Sequence, residues 1–208
     1  MHPNPAFRST ETITALSFAS EIGFGMLAVN GAEEPMLAHV PFVIDGGNAM
    51  LHLVRSNPIA RAAKDPKKAT IAISGPHSYV SPDWYSTDNQ VPTWNYVAVH
   101  LVGTLVPLPP ENLAEVLDDL STEFETRLLP KPVWTADKMD AEALSKMMRM
   151  IQPFRFEIKD VRSTFKLGQN KPNAARLSAA KQIAISGIGS EVETLSKLMQ
   201  STNPEDSK

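Results

Sequence analysis

Two glycine turns govern how the first quarter of this chain can fold. Asn30-Gly31 and Asp45-Gly46-Gly47 separate short apolar runs, and both turns use residues that tolerate the positive φ of a tight reversal. The runs are Ile22 to Val29, Met36 to Ile44 and Met50 to Val54. Three strands joined by short loops make an antiparallel meander. Ala69 to Ser74, alternating through Ile71 and Ile73, reads as a fourth strand, and Tyr96 to Val106 as a longer fifth. Gly103 inside that strand marks a bulge or a close backbone approach. Phe154, Phe156 and Ile158 alternate with Arg155, Glu157 and Lys159 in a half-buried sixth strand leading to Val161.

Helices surround these strands. Ser9 or Thr10 is suited to cap a first helix, with Glu11 in its first turn. Leu113, Val116, Leu117, Leu120, Phe124 and Leu128 recur at helical spacing over Glu111 to Leu128, opposite an acidic, solvated face. A second helix is expected from Met139 to Met150, with Leu144, Met147, Met148 and Ile151 as a core stripe. Pro172 to Gln200 reads as one or two helices broken at Gly187-Ile188-Gly189, and the last eight residues as a polar, frayed end. The strands do not alternate with helices, which argues against a doubly wound sheet. The pattern is mainly β, of the α+β class: a β-barrel with helical additions.

The chain has 208 residues, room for one domain or one domain plus an appendage. There are no cysteines, hence no disulfide or thiolate metal site. No apolar h-region opens the sequence and no apolar run is long enough to span a membrane, so a cytoplasmic protein is expected. The net charge of −3 and the lack of a basic stripe argue against direct DNA binding by the chain. The five histidines, His2, His39, His52, His77 and His100, are too scattered to suggest a metal centre.

Two segments carry chemistry. Gly75 to Gly103 holds all three tyrosines and two of the three tryptophans, interleaved with serine, threonine, aspartate and amide side chains. Rings with polar groups between them suit a flat, polar-edged ligand; a surface loop pinned by aromatic anchors accounts for them equally well. In Arg55-Ser56-Asn57-Pro58, Asn57 is a good N-cap and Pro58 a good first helical residue. Backbone N–H groups at a helix start, with Arg55 before it and Arg61 one turn inside, suit an anion such as a terminal phosphate. On these residues alone, an ordinary capped helix with two solvated arginines is the simpler reading.

Five stretches resemble the PaiB-type FMN-binding negative transcriptional regulators: LAHVPFVID at 37–45, LHLVRSNP at 51–58, GPHSYVSPDWY at 75–85, VPTWNYVAVH at 91–100 and FKLGQN at 165–170. The resemblance implies the split β-barrel of the pyridoxamine 5′-phosphate oxidase-like flavoproteins, a homodimer with FMN at the subunit interface. It implies that His52, Leu53, Arg55, Ser56 and Asn57 hold the phosphate side, which turns the balance toward an anion site there. It implies that His39, Val40 and Pro41 lie on the strand beneath the isoalloxazine. Thr93, Trp94 and Asn95 then form a polar-aromatic segment near the cofactor, and Lys166, Gln169 and Asn170 a late loop that reaches it. Three positions depart from the family pattern: Gly168 stands where serine is usual, His2 where tyrosine is usual, and Gln152-Pro153 where a glycine is common.

The domain organisation expected is a flavin-binding split barrel over residues 1–170 and a helical tail over 171–208. The function implied is transcriptional repression by an FMN-binding homodimer. The residues leave two other readings open on the same barrel. One is an FMN-dependent oxidoreductase with His39 or His77 as proton donor. The other is a haem-binding or haem-degrading protein with His77 or His100 as axial ligand.

Overall fold

The expected meander forms, with one interruption. The computed structural model describes residues 1–186 and 188–202. Gly187 and residues 203–208 lie outside these, and with them the centre of the expected break in the tail and most of its expected frayed end. β1 (Phe24–Asn30) pairs antiparallel with β2 (Pro35–Pro41), and β3 (Val43–Asp45) with β4 (Asn48–Val54). Phe42 divides the run expected as one strand: its side chain is buried, and its backbone N–H turns to the carbonyl of Gly23 at 2.9 Å. β5 (Lys67–Val80), β6 (Thr93–Pro107) and β7 (Ile151–Lys166) are longer than their alternation indicated, and β8 (Gly189–Ser190) adds to β5. The hydrogen-bonded order is β2-β1-β5-β6-β7-β4-β3. The helices are α1 (Thr12–Ile22), α2 (Pro58–Ala62), α3 (Leu113–Thr126), α4 (Ala141–Met148), α5 (Asn173–Ser186) and α6 (Val192–Ser201).

The chain divides into two units, and β5, β6 and β7 each contribute to both. One unit comprises residues 19–72 and 101–161. Its core is built from alternate strand positions, including Leu27, Val40, Leu51, Leu53, Ile71, Leu101, Phe154 and Phe156, as period-two patterning requires. Burying each such side chain contributes roughly 1.5–3 kcal/mol. α3 packs on β3 and β4, burying Leu113, Val116 and Leu120, while Leu128, expected to extend that stripe, is exposed. α4 departs further from expectation. Met147 is 57% exposed and Leu144 and Met148 only half-buried, so the methionine-rich stripe faces a surface cavity and not the core.

The other unit comprises residues 1–18, 73–100 and 162–208. α5 and α6 pack together, tied where the Ser196 hydroxyl donates to the Ala180 carbonyl at 2.7 Å. α1 enters later than Ser9 or Thr10 would place it: Ala15 N–H bonds to the Glu11 carbonyl, so Glu11 stands at its entry. Gly75 to Val80, expected to open a loop, continues β5 as a strand. The hydroxyl that this continuation buries is satisfied at long range: Ser78 donates to the Ile188 carbonyl at 2.6 Å. The loop is thereby reduced to 81–92, with one 3-10 turn at Pro82–Tyr85 that buries Tyr85.

Gly103 is a close approach. A Cβ built there would lie 2.0 Å from the Glu157 carbonyl oxygen, whereas one at Gly47 would meet nothing within 4 Å. Gly103→Ala is therefore expected to destabilise the protein by about 2–3 kcal/mol in urea unfolding, by forcing β6 from β7. Gly47→Ala is expected to be near neutral. Equal effects of the two would contradict this account of the strand pair.

Candidate cofactor-binding site

The unit formed by 19–72 and 101–161 carries the first group of candidate residues. β4 ends at Val54 and α2 begins at Pro58, and the Asn57 carboxamide accepts the N–H of Ile59 at 2.9 Å. The cap read from Asn-Pro is thus formed. Arg55 is held from outside that turn. Its backbone N–H donates to the Met150 carbonyl at 2.8 Å, and its Nε to the Arg149 carbonyl at 3.0 Å. This fixes the root of the guanidinium while the side chain stays exposed. Ser56 is exposed beside it, and Leu53 is buried in the core.

His52 lies opposite Pro153 in the β4–β7 register, which places the family departure at Pro153 directly beside a candidate residue. Pro153 has no N–H to give, and its carbonyl accepts from Leu108 N–H at 3.1 Å. The His52 ring is half-buried, and its Nδ1 is buried with no hydrogen-bond partner. Burial lowers its pKa from 6.5 and favours the neutral ring. β2 packs on β4 and α2, which brings the segment His39, Val40 and Pro41 to the same region. Val40 is buried, so only its backbone is available to a ligand; His39 is exposed, its ring stacked on Phe24 at 6.1 Å.

The second group lies in the other unit. Lys166 at the end of β7 donates to the Thr93 hydroxyl at the start of β6, and its ammonium lies 5.9 Å from the centre of the Phe7 ring. Burial, and next the charge of Lys171, lower the Lys166 pKa from 10.5. Asn95 is buried, and its Nδ2 donates to the Met199 sulfur at 3.4 Å. Gln169 is also buried: its amide nitrogen donates to the carbonyls of Ala6 and Phe165, and its oxygen accepts Leu167 N–H. Both amides shape the loop from within. Asn170 and Trp94 are exposed.

Gly168 takes φ +78°, and a Cβ there would come 3.4 Å from Arg176 and 3.6 Å from Asn95 Nδ2. A serine in this conformation would be strained, so the departure suits the backbone found here.

Several participants were not legible in sequence. The Arg149 and Met150 carbonyls grip Arg55 through backbone atoms, which no side-chain pattern reveals. Tyr79 flanks Trp94 at 6.2 Å once β5 extends past Gly75, with His77, already a candidate from sequence, at 6.1 Å. The His77 Nδ1 lies 3.1 Å from the Gly75 carbonyl, and burial chiefly lowers the His100 pKa. Among the described residues no cluster of histidines and carboxylates could hold a metal.

The fold and these polar groups define a class that comparison with known proteins establishes. Residues 1–160 match the family described as "Putative FMN-binding domain". The chain belongs to this family, and its cofactor is FMN. Within it the chain is PaiB-like. It is 28% identical over 186 residues to the Protease synthase and sporulation protein PAI 2 of Bacillus subtilis, covering 85% of this chain and 86% of that protein.

Among solved structures it is similar to the FAD and heme binding protein from Mycobacterium smegmatis, with a TM-score of 0.59 at 16% identity, covering 88% of this chain and 82% of the other. It is also similar to the flavocytochrome Anf3 from Azotobacter vinelandii, with a TM-score of 0.52 at 14% identity, over 74% and 67% of the two chains. These likenesses concern the fold, the split β-barrel of the α+β class.

His52 provides a pH test. Its pKa is lower in the folded state than the unfolded value of 6.5, so between the two values the unfolded chain binds more protons. Its contribution is present above pH 6.5 and is lost as the pH falls through the folded-state pKa. Urea unfolding is therefore expected to show stability decreasing as the pH drops below 6.5, with a shallower slope in His52→Gln. An unchanged slope would show that His52 is not held neutral by burial.

Proposed function

We propose that this chain is a cytoplasmic FMN-binding homodimer that lowers gene expression in the manner of the PaiB-type regulators. The observation that carries this reading is the extent of the likeness: 85% of the chain aligns with a protein named for protease synthesis and sporulation. With a net charge of −3, direct phosphate contacts would be few. The reading is therefore regulation through a partner or a metabolic signal and not through operator binding by this chain alone. Among the described residues no helix is long and apolar enough to cross a membrane.

In this reading the flavin domain is residues 1–170, and the tail at 171–208 carries α5 and α6. The groups present fit FMN: an orphaned imidazole nitrogen at His52, an anchored and exposed guanidinium at Arg55, a capped turn at Asn57, and a partly desolvated ammonium at Lys166. Arg55, Ser56 and the turn at Asn57 would hold the phosphate, with His52 and Leu53 on the strand behind it. His39, Val40 and Pro41 would line the ring side. In the other unit, Thr93, Trp94 and Asn95, with Lys166, Gln169 and Asn170, are the segments that the family likeness assigns to FMN. Bound FMN supplies reversible electron transfer; the chain supplies charge, shape and exclusion of water.

Dimerisation is supported by the sheet edge. β2 is a terminal strand in the sheet order, and Phe24 and Leu37, on β1 and β2, are 50% and 57% exposed. An uncovered apolar edge is a liability that a two-fold partner removes.

Arg55 is the sharpest point of test. Arg55→Ala removes a charge-assisted contact, so FMN affinity should drop about ten- to a hundredfold. Riboflavin, which lacks the phosphate, should bind about as before. Equal loss of both ligands would make Arg55 a support for α4 and β4 through its bonds to Arg149 and Met150. Loss of neither would move the phosphate elsewhere.

A further inference from the structure

A cavity of about 650 Å³ opens between α3 and the segment 134–148, within the unit that holds 19–72 and 101–161. That volume suits a small organic ligand. Trp134, Leu117, Leu144 and Met148 supply apolar walls, and none of the candidate flavin residues lines it. Glu115 and Asp118 stand on its rim, three positions apart on α3 and hence on one side of that helix. Neither carboxylate makes an ion pair with a described residue.

The nearby cations are engaged elsewhere. Arg127 binds Glu123 and the carbonyls of Ser20 and Glu21, Lys131 binds Glu125, and Lys138 binds the Val133 carbonyl. No lysine, arginine or histidine lines the cavity. The indole-bearing loop is anchored through its backbone: the Trp134 main-chain N–H donates to the Glu125 carboxylate at 2.9 Å, and that carboxylate is held below its usual pKa range by Lys131 and by this N–H.

From this arrangement we propose that the cavity is a second ligand site, separate from the flavin residues, that takes a small organic cation with an aromatic or alkyl body. Apolar walls reward the body. The unpaired carboxylates at the mouth reward the charge, and an indole face adds cation–π attraction. A neutral ligand would leave the carboxylates without a role in binding. An anion would meet two like charges at the entrance.

The test uses full-length, FMN-loaded protein and titration calorimetry with 2-phenylethylammonium and its neutral counterpart 2-phenylethanol. Saturable binding is expected, with the ammonium favoured at least about tenfold over the alcohol. The double variant Glu115→Gln, Asp118→Asn should remove that preference while leaving the affinity for 2-phenylethanol and the FMN content unchanged. Ala114→Trp, which fills the cavity, should weaken both ligands. In the unmodified protein, raising the salt concentration should weaken the ammonium and not the alcohol, which keeps the test independent of how the variants fold. Equal binding of the two probes, an unaffected preference in the double variant, or the absence of saturable ammonium binding would each overturn the proposal. The last is also the result expected if a second copy of the chain covers the cavity.

Discussion

The central strands depend on the close approach of β7 to β6 at Gly103, where a side chain would strike the Glu157 carbonyl. Much of the candidate chemistry is attached to these two strands. β6 begins at Thr93, Trp94 and Asn95, and β7 ends at Lys166 and the loop that follows. The other end of β7 pairs with β4, whose terminus carries His52 and leads into Arg55. A shift of one residue between paired strands would move alternate side chains to the opposite face. The glycine therefore bears on the positions of residues far from it in sequence.

A second constraint is the grip on Arg55. An exposed arginine just past the end of a strand ordinarily samples many rotamers, and ordering it costs roughly 2 kcal/mol of side-chain entropy. Two bonds, from its backbone N–H and its Nε, run to consecutive carbonyls at the end of α4. They limit that freedom before any ligand arrives. The short helix α4 thus has two neighbours of interest: its apolar side chains line a cavity, and the residues just after it hold the arginine.

What was legible in sequence had a local cause. Period-two alternation marked the strands, the glycine turns marked the hairpins, and Asn57-Pro58 marked a cap that forms as read. What was missed depended on distant partners. The expected fourth strand stopped at Ser74, and the continuation past it buries Ser78, whose acceptor, the carbonyl of Ile188, is 110 residues away in sequence. Leu144, Met147 and Met148 have core spacing, but spacing does not tell whether anything packs against it. The motif places Gln169 in a loop that reaches the cofactor, but does not reveal the bonds of its side chain to Ala6, Phe165 and Leu167. The family motifs indicated which segments matter; contacts distinguish the exposed side chains from those that support the backbone.

FMN is the cofactor of this family, and the proposed assembly is a two-fold dimer of the chain. Native mass spectrometry of freshly purified protein, followed by identification of the released ligand, tests it most directly. The predicted species is two chains carrying two molecules of FMN, with flavin lost when the dimer is dissociated. A monomer that retains FMN, or a dimer whose released ligand is not a flavin, would contradict it.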